Sequence, residues 1–149
     1  MKLNKMAQKE QDIILAEDDL DDVLVFEMAL KEIDVPVDMR HAQNGNVLFE
    51  LLEERIPDTL FLDVHMPCKD GISCITEIRK DRKYDRLPVI MYTSSGNEKT
   101  VEQAYRNGAN LFITKTDTIR QLSTKLKTVF SIDWKNYMHY PPLDHFVIN

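Results

Sequence analysis

The sequence predicts a doubly wound α/β protein, a five-stranded parallel sheet with helices on both faces. Short, wholly apolar runs alternate five times with segments whose apolar residues follow helical spacing. The connections between them are short, and strictly alternating β and α units joined this way require right-handed crossovers that cover both faces of a parallel sheet. Strands buried on both faces read as continuous apolar runs rather than as alternating ones.

Residues 1–11 are polar without apolar periodicity and read as a flexible lead, and the domain is expected over 12–130. Ile13-Ile14-Leu15-Ala16 forms the first strand. Val23, Phe26, Leu30 and Ile33 then mark one face of a helix that Pro36 closes. A strand over 37–42 is followed by a helix carrying Val47, Leu48, Leu51 and Leu52. Thr59–Val64 reads as the third strand, followed by a helix with Ile72, Ile75 and Ile78. Pro88 opens a strand over 89–92, a helix follows around 99–106, and Leu111–Thr114 is the last strand. Ile119, Leu122, Leu126 and Val129 mark the last helix. Asn44-Gly45 and Asn107-Gly108 each sit beside a helix pattern, where a loop start or a left-handed cap is expected instead of a hairpin turn.

Composition narrows the function classes. With 149 residues, 43% hydrophobic and 30% charged, the chain has room for one domain with a sizeable core, which excludes disordered and fibrous classes. A formal charge of -6 disfavours nucleic acid and anionic lipid as partners. No apolar run approaches the ~18 residues of a spanning helix, so no membrane association is expected. Two cysteines, Cys68 and Cys74, make no disulfide framework, and a reducing cytoplasm fits best. His65 with these cysteines falls short of a soft-metal ligand set. The basic run Arg79-Lys80-Asp81-Arg82-Lys83 reads as the solvated end of a helix.

In open α/β sheets ligands bind beyond the carboxyl ends of the strands. There the chain carries Glu17-Asp18-Asp19 after strand 1, Asp63 after strand 3, Thr93-Ser94-Ser95 at strand 4 and Lys115 after strand 5. Clustered carboxylates call for a compensating cation, and oxygen ligands supplemented by water and phosphate suit Mg²⁺, with Mn²⁺ as an alternative. A carboxylate beside such a metal can attack phosphorus while a lysine and a hydroxyl compensate the equatorial oxygens. Asp21 and Asp22 are expected to be helix-start charges only.

These residues carry a resemblance. Ile13–Asp19, Leu62-Asp63-Val64-His65-Met66-Pro67 with Asp70-Gly71, Pro88–Ser94 and Gly108–Lys115, in that order, resemble the receiver domain of two-component response regulators, similar to the single-domain chemotaxis type with its flavodoxin-like fold. The resemblance implies roles by position. Asp63 is the phosphoacceptor, Asp18 a direct metal ligand, Glu17 a partner acting through water, and the His65 backbone carbonyl a further ligand. Lys115 holds phosphate, Thr93 is the mobile hydroxyl and Phe112 the aromatic switch residue. It also implies a sensor histidine kinase or phosphotransfer protein as donor, a downstream protein as output partner, and no enzymatic activity beyond self-catalysed phosphoryl transfer and autodephosphorylation. The chain departs from the family at Thr116, where proline in a cis bond is usual, and a cis bond to a non-proline costs about 2.5–4 kcal/mol. The conformation of the Lys115–Thr116 bond is thus left open. His65, two residues after the phosphoacceptor, stands where a side chain shields or positions hydrolytic water.

Three alternatives stand beside this reading. An aspartyl-phosphate phosphatase of the haloacid-dehalogenase kind needs an acid two residues after the nucleophile, where this chain has His65. An FMN carrier needs free N–H groups after strand 1, where Glu17-Asp18-Asp19 would repel phosphate. A degenerate receiver serving only as a docking module would require Lys115 to be misplaced. Residues 131–149 hold Trp134, Tyr137, Tyr140 and Phe146, four of the 12 aromatic residues, so this tail is expected to be tied down, on the domain's own helices or on a second subunit in a homodimer. With no output module expected after residue 130, signalling output is expected to pass through a partner.

Overall fold

The structure, a computed structural model, describes residues 9–115, 118–136 and 140–149. Its elements run β1 (Gln11–Ala16), α1 (Leu20–Glu32), β2 (Val37–Ala42), α2 (Gly45–Glu54), β3 (Thr59–Leu62), α3 (Gly71–Lys80), a 3-10 turn (Arg82–Tyr84), β4 (Val89–Thr93), α4 (Glu98–Arg106), β5 (Leu111–Thr114), α5 (Ile119–Ser131) and α6 (Leu143–Phe146). All strand pairs are parallel, in the order β2-β1-β3-β4-β5. The chain steps outward from β1 to β2 and returns to β3, so the direction of winding reverses between β1 and β3. A crevice opens at such a reversal.

Side chains on successive strand residues point to opposite faces, and two apolar layers result. Ile14, Ala16, Leu60, Leu62, Val89, Met91 and Phe112 pack under α2, α3 and α4 through Leu48, Leu52, Cys74, Ile75, Ile78 and Ala104. Ile13, Leu15, Phe61, Ile90, Tyr92, Leu111 and Ile113 pack under α1 and α5 through Phe26, Ala29, Leu122, Leu126 and Val129. Each apolar strand thus supplies both cores, which is why its sequence shows no alternation.

Polar side chains set the helix starts. Asp19, Asn44, Asp70, Asn97 and Thr118 each accept a hydrogen bond from the first turn of the helix that follows. Asn44 is therefore an N-cap. At the end of α4, Gly108 adopts φ +100°, with Gly108 N–H donating to Tyr105 O and Ala109 N–H to Ala104 O, a left-handed cap of the Schellman type.

Several boundaries differ from the sequence expectation. Gln11 already belongs to β1, because its N–H donates to Pro36 O at 2.8 Å, a backbone bond that leaves no apolar signal. Strand β3 ends at Leu62, so Asp63 and Val64 lie just beyond it. Arg79 is not a solvated end. Its half-buried guanidinium donates to Gly108 O, Tyr84 O, Leu87 O and Asn110 Oδ1 at 2.8–2.9 Å, tying α3 to the turn before β4 and to the start of β5. Helix α5 stops at Ser131, well before Pro141. Thr116 and its bond to Lys115 lie outside the described residues, as do Tyr137 and positions 1–8 of the lead. Among the described residues no helix is long and apolar enough to cross a membrane.

Candidate functional site

The sheet's hydrogen bonding continues one residue past the strands and fixes the residues that matter. Glu17 N–H donates to Ala42 O at 2.9 Å, Asp63 N–H to Ala16 O at 3.0 Å and Lys115 N–H to Thr93 O at 2.8 Å. Three charged side chains thereby leave rigid backbone at the same rim, around the crevice between β1 and β3. The Glu17 carbonyl is held in turn by His41 Nε2 at 2.6 Å.

Lys115 is the centre of the cluster. Its Nζ lies 2.5 Å from Glu17 Oε1, 2.7 Å from Asp22 Oδ2 and 3.0 Å from Asp63 Oδ2. It also lies 5.4 Å from the centroid of the buried Tyr92 ring. Burial opposes the ammonium charge, but hydrogen bonds with Asp22, Glu17 and Asp63 outweigh burial and hold the Lys115 pKa above its ordinary value. Glu17 has no solvent exposure. Burial, reinforced by the neighbouring Asp63, pushes its carboxyl up to about 8 against the opposing effect of Lys115. Glu17, Asp22 and Asp63 thus set three carboxyl groups against one ammonium in a shielded place.

Oxygen atoms of Glu17, Asp18 and Asp63 all lie within 4.8 Å of one another. This donor set is all oxygen, it is partly open through the exposed Asp18, and it already carries more negative than positive charge, so it fits a hard divalent cation. Asp63 is 4% exposed. One of its oxygens, Oδ2, is held by Lys115, while Oδ1 accepts from His65 N–H at 3.2 Å. Thr93 is fully buried at the end of β4, and its Oγ1 accepts from Ser95 N–H at 3.3 Å. His65 and Ser95 join through Nε2 and Oγ at 2.5 Å, linking the loops after β3 and β4 beside Asp63.

The structure thus brings together Glu17, Asp18, Asp63 and Lys115, with Thr93 and His65 on the adjoining loops. Phe112 does not line the rim. It lies fully buried in β5 with its ring centroid 6.0 Å from that of Phe146. Asp22 corrects the sequence expectation, since it reaches Lys115 instead of serving only the helix start. No sequence signal separates this role from that of a charge favoured at a helix start. Asp19 caps α1 by accepting from the N–H groups of Asp21 and Asp22. The helix start that an FMN phosphate would need is occupied by a carboxylate.

A family model for the response regulator receiver domain matches residues 13–127. The chain belongs to the response regulator receiver family. Receivers are signalling modules of two-component systems. The chain is 31% identical over 122 residues to the probable C4-dicarboxylate response regulator DctR of Bacillus subtilis (strain 168), covering 82% of this chain and 53% of that protein. It therefore spans about half the length of that relative. Among solved structures it superposes on the phosphorylated cyanobacterial phytochrome response regulator RcpA with a TM-score of 0.76 and 27% identity, over 90% of this chain and 100% of that one. It also superposes on the Mn²⁺-bound form of the response regulator Rcp1 with a TM-score of 0.73 and 24% identity, over 89% of this chain and 99% of that one, a likeness of fold.

Proposed function

We propose that this receiver is a cytoplasmic, phosphorylation-switched regulator that takes a phosphoryl group from a histidine kinase or phosphorelay protein onto Asp63, with output through protein–protein interaction. The observation that carries the reading is Lys115 Nζ at 3.0 Å from Asp63 Oδ2. An ammonium in that position does not fit a degenerate docking module with a misplaced lysine. Glu17, Asp18, Asp63 and the His65 backbone carbonyl would hold Mg²⁺, or Mn²⁺ in its place. When bound, the cation neutralises charge on the transferred group and lets the acid cluster approach it.

In the transfer, a carboxylate oxygen of Asp63 forms a bond to phosphorus as the P–N bond of a donor phosphohistidine breaks, and the freed imidazole nitrogen takes a proton. Lys115 stays beside the new phosphoryl group and compensates its oxygens, and the Thr93 hydroxyl supplies a further donor. The hydrogen-bonded pair of His65 and Ser95 stands where it restricts water from the acyl phosphate. The switch is assigned to Thr93 and Phe112. The apolar side chains of Leu20, Leu24 and Met28 are all more than half exposed and repeat every four residues along α1, directly after the acid cluster. Such a ridge suits the apolar face of a helical donor protein.

Intact-mass measurement with a small phosphodonor tests the proposal. One phosphoryl group is expected with Mg²⁺ or Mn²⁺, and none after chelation or in Asp63→Asn. Equal labelling with and without chelator would overturn it.

A further inference from the structure

We propose that the pocket at the amino-terminal ends of β3 and β4, walled by Trp134 and rimmed by Lys83, Arg86 and Lys135, binds a small planar anion, a ring that carries a phosphate or carboxylate group. The pocket lies at the opposite end of the parallel sheet from the acid cluster, and the inference is independent of the phosphoryl chemistry.

Three connections meet there. Asp58 leads into β3, Arg86 stands before β4, and Trp134 and Lys135 follow α5. Pro57, Leu87 and Pro88 are buried and form an apolar floor. Beside them stands the half-buried Trp134, which also packs on the α1 and α5 layer. The floor is fixed from below, since Leu60 N–H donates to Pro88 O at 2.9 Å and Arg79 Nη2 to Leu87 O at 2.9 Å. Proline rings and an indole offer flat apolar surfaces, on which an aromatic ring stacks well. The cavity measures about 230 Å³, below the ~300–1,000 Å³ usual for drug-sized ligands, so it takes a single ring system and leaves the charged part of a ligand at the rim.

The rim opposes the charge of the chain as a whole. The protein carries a formal charge of -6, yet three cations line this pocket against one acid, Asp58. Asp58 is committed to β1: its Oδ2 accepts from Asp12 N–H at 2.9 Å, and its N–H donates to Asp12 O at 2.7 Å. Lys83 is committed as well, with its Nζ 3.3 Å from Glu53 Oε1 and 3.6 Å from Asp81 Oδ2. Arg86 and Lys135 are exposed and form no side-chain ion pair among the described residues. Two uncompensated cations, one before β4 and one after α5, thus border a single apolar slot. A neutral ring would leave both cations without a partner, and a bare anion would leave the apolar floor uncovered. A ring with an anionic substituent satisfies both, and a guanidinium meets phosphate or carboxylate alike through paired N–H donors.

The test is calorimetric titration of the full chain with two probes, adenosine monophosphate and benzoate, in chelator so that no metal draws them to the acid cluster. At least one probe is expected to bind one to one with a Kd of about 1 mM or tighter, and to change the fluorescence of Trp134, the chain's one tryptophan. Binding of the first alone assigns the phosphate form and of the second alone the carboxylate form, while binding of both assigns a site that accepts either group. Adenosine and benzyl alcohol, which lack the charge, and inorganic phosphate and acetate, which lack the ring, are expected to bind at least tenfold more weakly. The exposed pair Arg86→Gln and Lys135→Gln is expected to weaken the probe about tenfold or more, with an unchanged circular dichroism spectrum. The proposal is overturned if neither probe saturates, if Trp134 fluorescence does not respond, if the half-ligands bind as well as the probes, or if the folded double variant binds like the wild type.

Discussion

Gly71 packs directly against the backbone of Asp63, the proposed phosphoacceptor. A Cβ at this position would lie 2.1 Å from Asp63 O and 2.9 Å from Val64 Cα, both backbone atoms that no rotamer can move. Gly71→Ala is expected to lower stability by about 1–3 kcal/mol, the cost of overpacking, and to slow labelling of Asp63 because the strand end that holds it must shift. Denaturant titration beside phosphodonor kinetics checks both. The two cysteines differ as sharply. Cys68 is exposed in a left-handed conformation at φ 70°, whereas Cys74 is fully buried and burial pushes its thiol up to about 12. A maleimide is therefore expected to modify one thiol in the folded protein at pH 8, and the second only in denaturant. The native state keeps the Cys74 proton above the pH at which the unfolded chain releases it. The thiol's contribution to stability is thus complete below about pH 9 and lost between about 9 and 12. Alkaline denaturation should be less steep in Cys74→Ala, and an unchanged slope would contradict the burial argument.

At the scale of elements, the strands and the acid cluster were legible because burial on two faces writes a continuous apolar run and a parallel sheet aligns all the strand ends. Glu17, Asp18, Asp63 and Lys115 could be placed on one rim from the alternation alone. Asp22 could not, since an acid in the first turn of a helix is favoured by the macrodipole with or without a second task. Arg79 was hidden for a related reason. A cation near a helix end is ordinarily solvated, and only the fold shows that Gly108 O, Tyr84 O, Leu87 O and Asn110 Oδ1 converge on it. Burial lowers its pKa, yet the acceptors hold the guanidinium in place. Arg79→Met keeps the stem but strands those acceptors, each costing about 1–3 kcal/mol where water cannot reach it. The variant is expected to lose at least 2 kcal/mol by chemical denaturation, as an order-of-magnitude sum of partial losses, and Arg79→Lys to recover little of it because an ammonium lacks the planar fork.

At the scale of the whole molecule, the C-terminal segment joins features that the sequence kept apart. Its aromatic content said that the tail must be buried somewhere but gave no address, because a strand edge is an absence of partners and leaves no mark in the residues that form it. The fold supplies the address: Phe146 enters the core beside Phe112, and Trp134 packs with the α1 and α5 layer. Lys115 stands three residues beyond Phe112, just past the end of β5, so the tail and the acid cluster both lean on β5 while no described tail residue belongs to the cluster. Truncation after Phe130 exposes the Phe146 pocket and removes the Trp134 contact, each large side chain contributing about 1.5–3 kcal/mol by burial. For a chain of this length, where 1 kcal/mol corresponds to about 2–4 °C, the melting midpoint is expected to fall by roughly 6–24 °C. Phosphorylation at Asp63 should remain achievable below the new midpoint, because Glu17, Asp18, Asp63 and Lys115 are all retained. Calorimetry with intact-mass labelling of the truncated chain separates the two effects. An unchanged midpoint would mean that the tail's burial contributes nothing to the fold, and loss of labelling at a temperature where the domain is still folded would mean that β5 needs the tail to hold Lys115 in place.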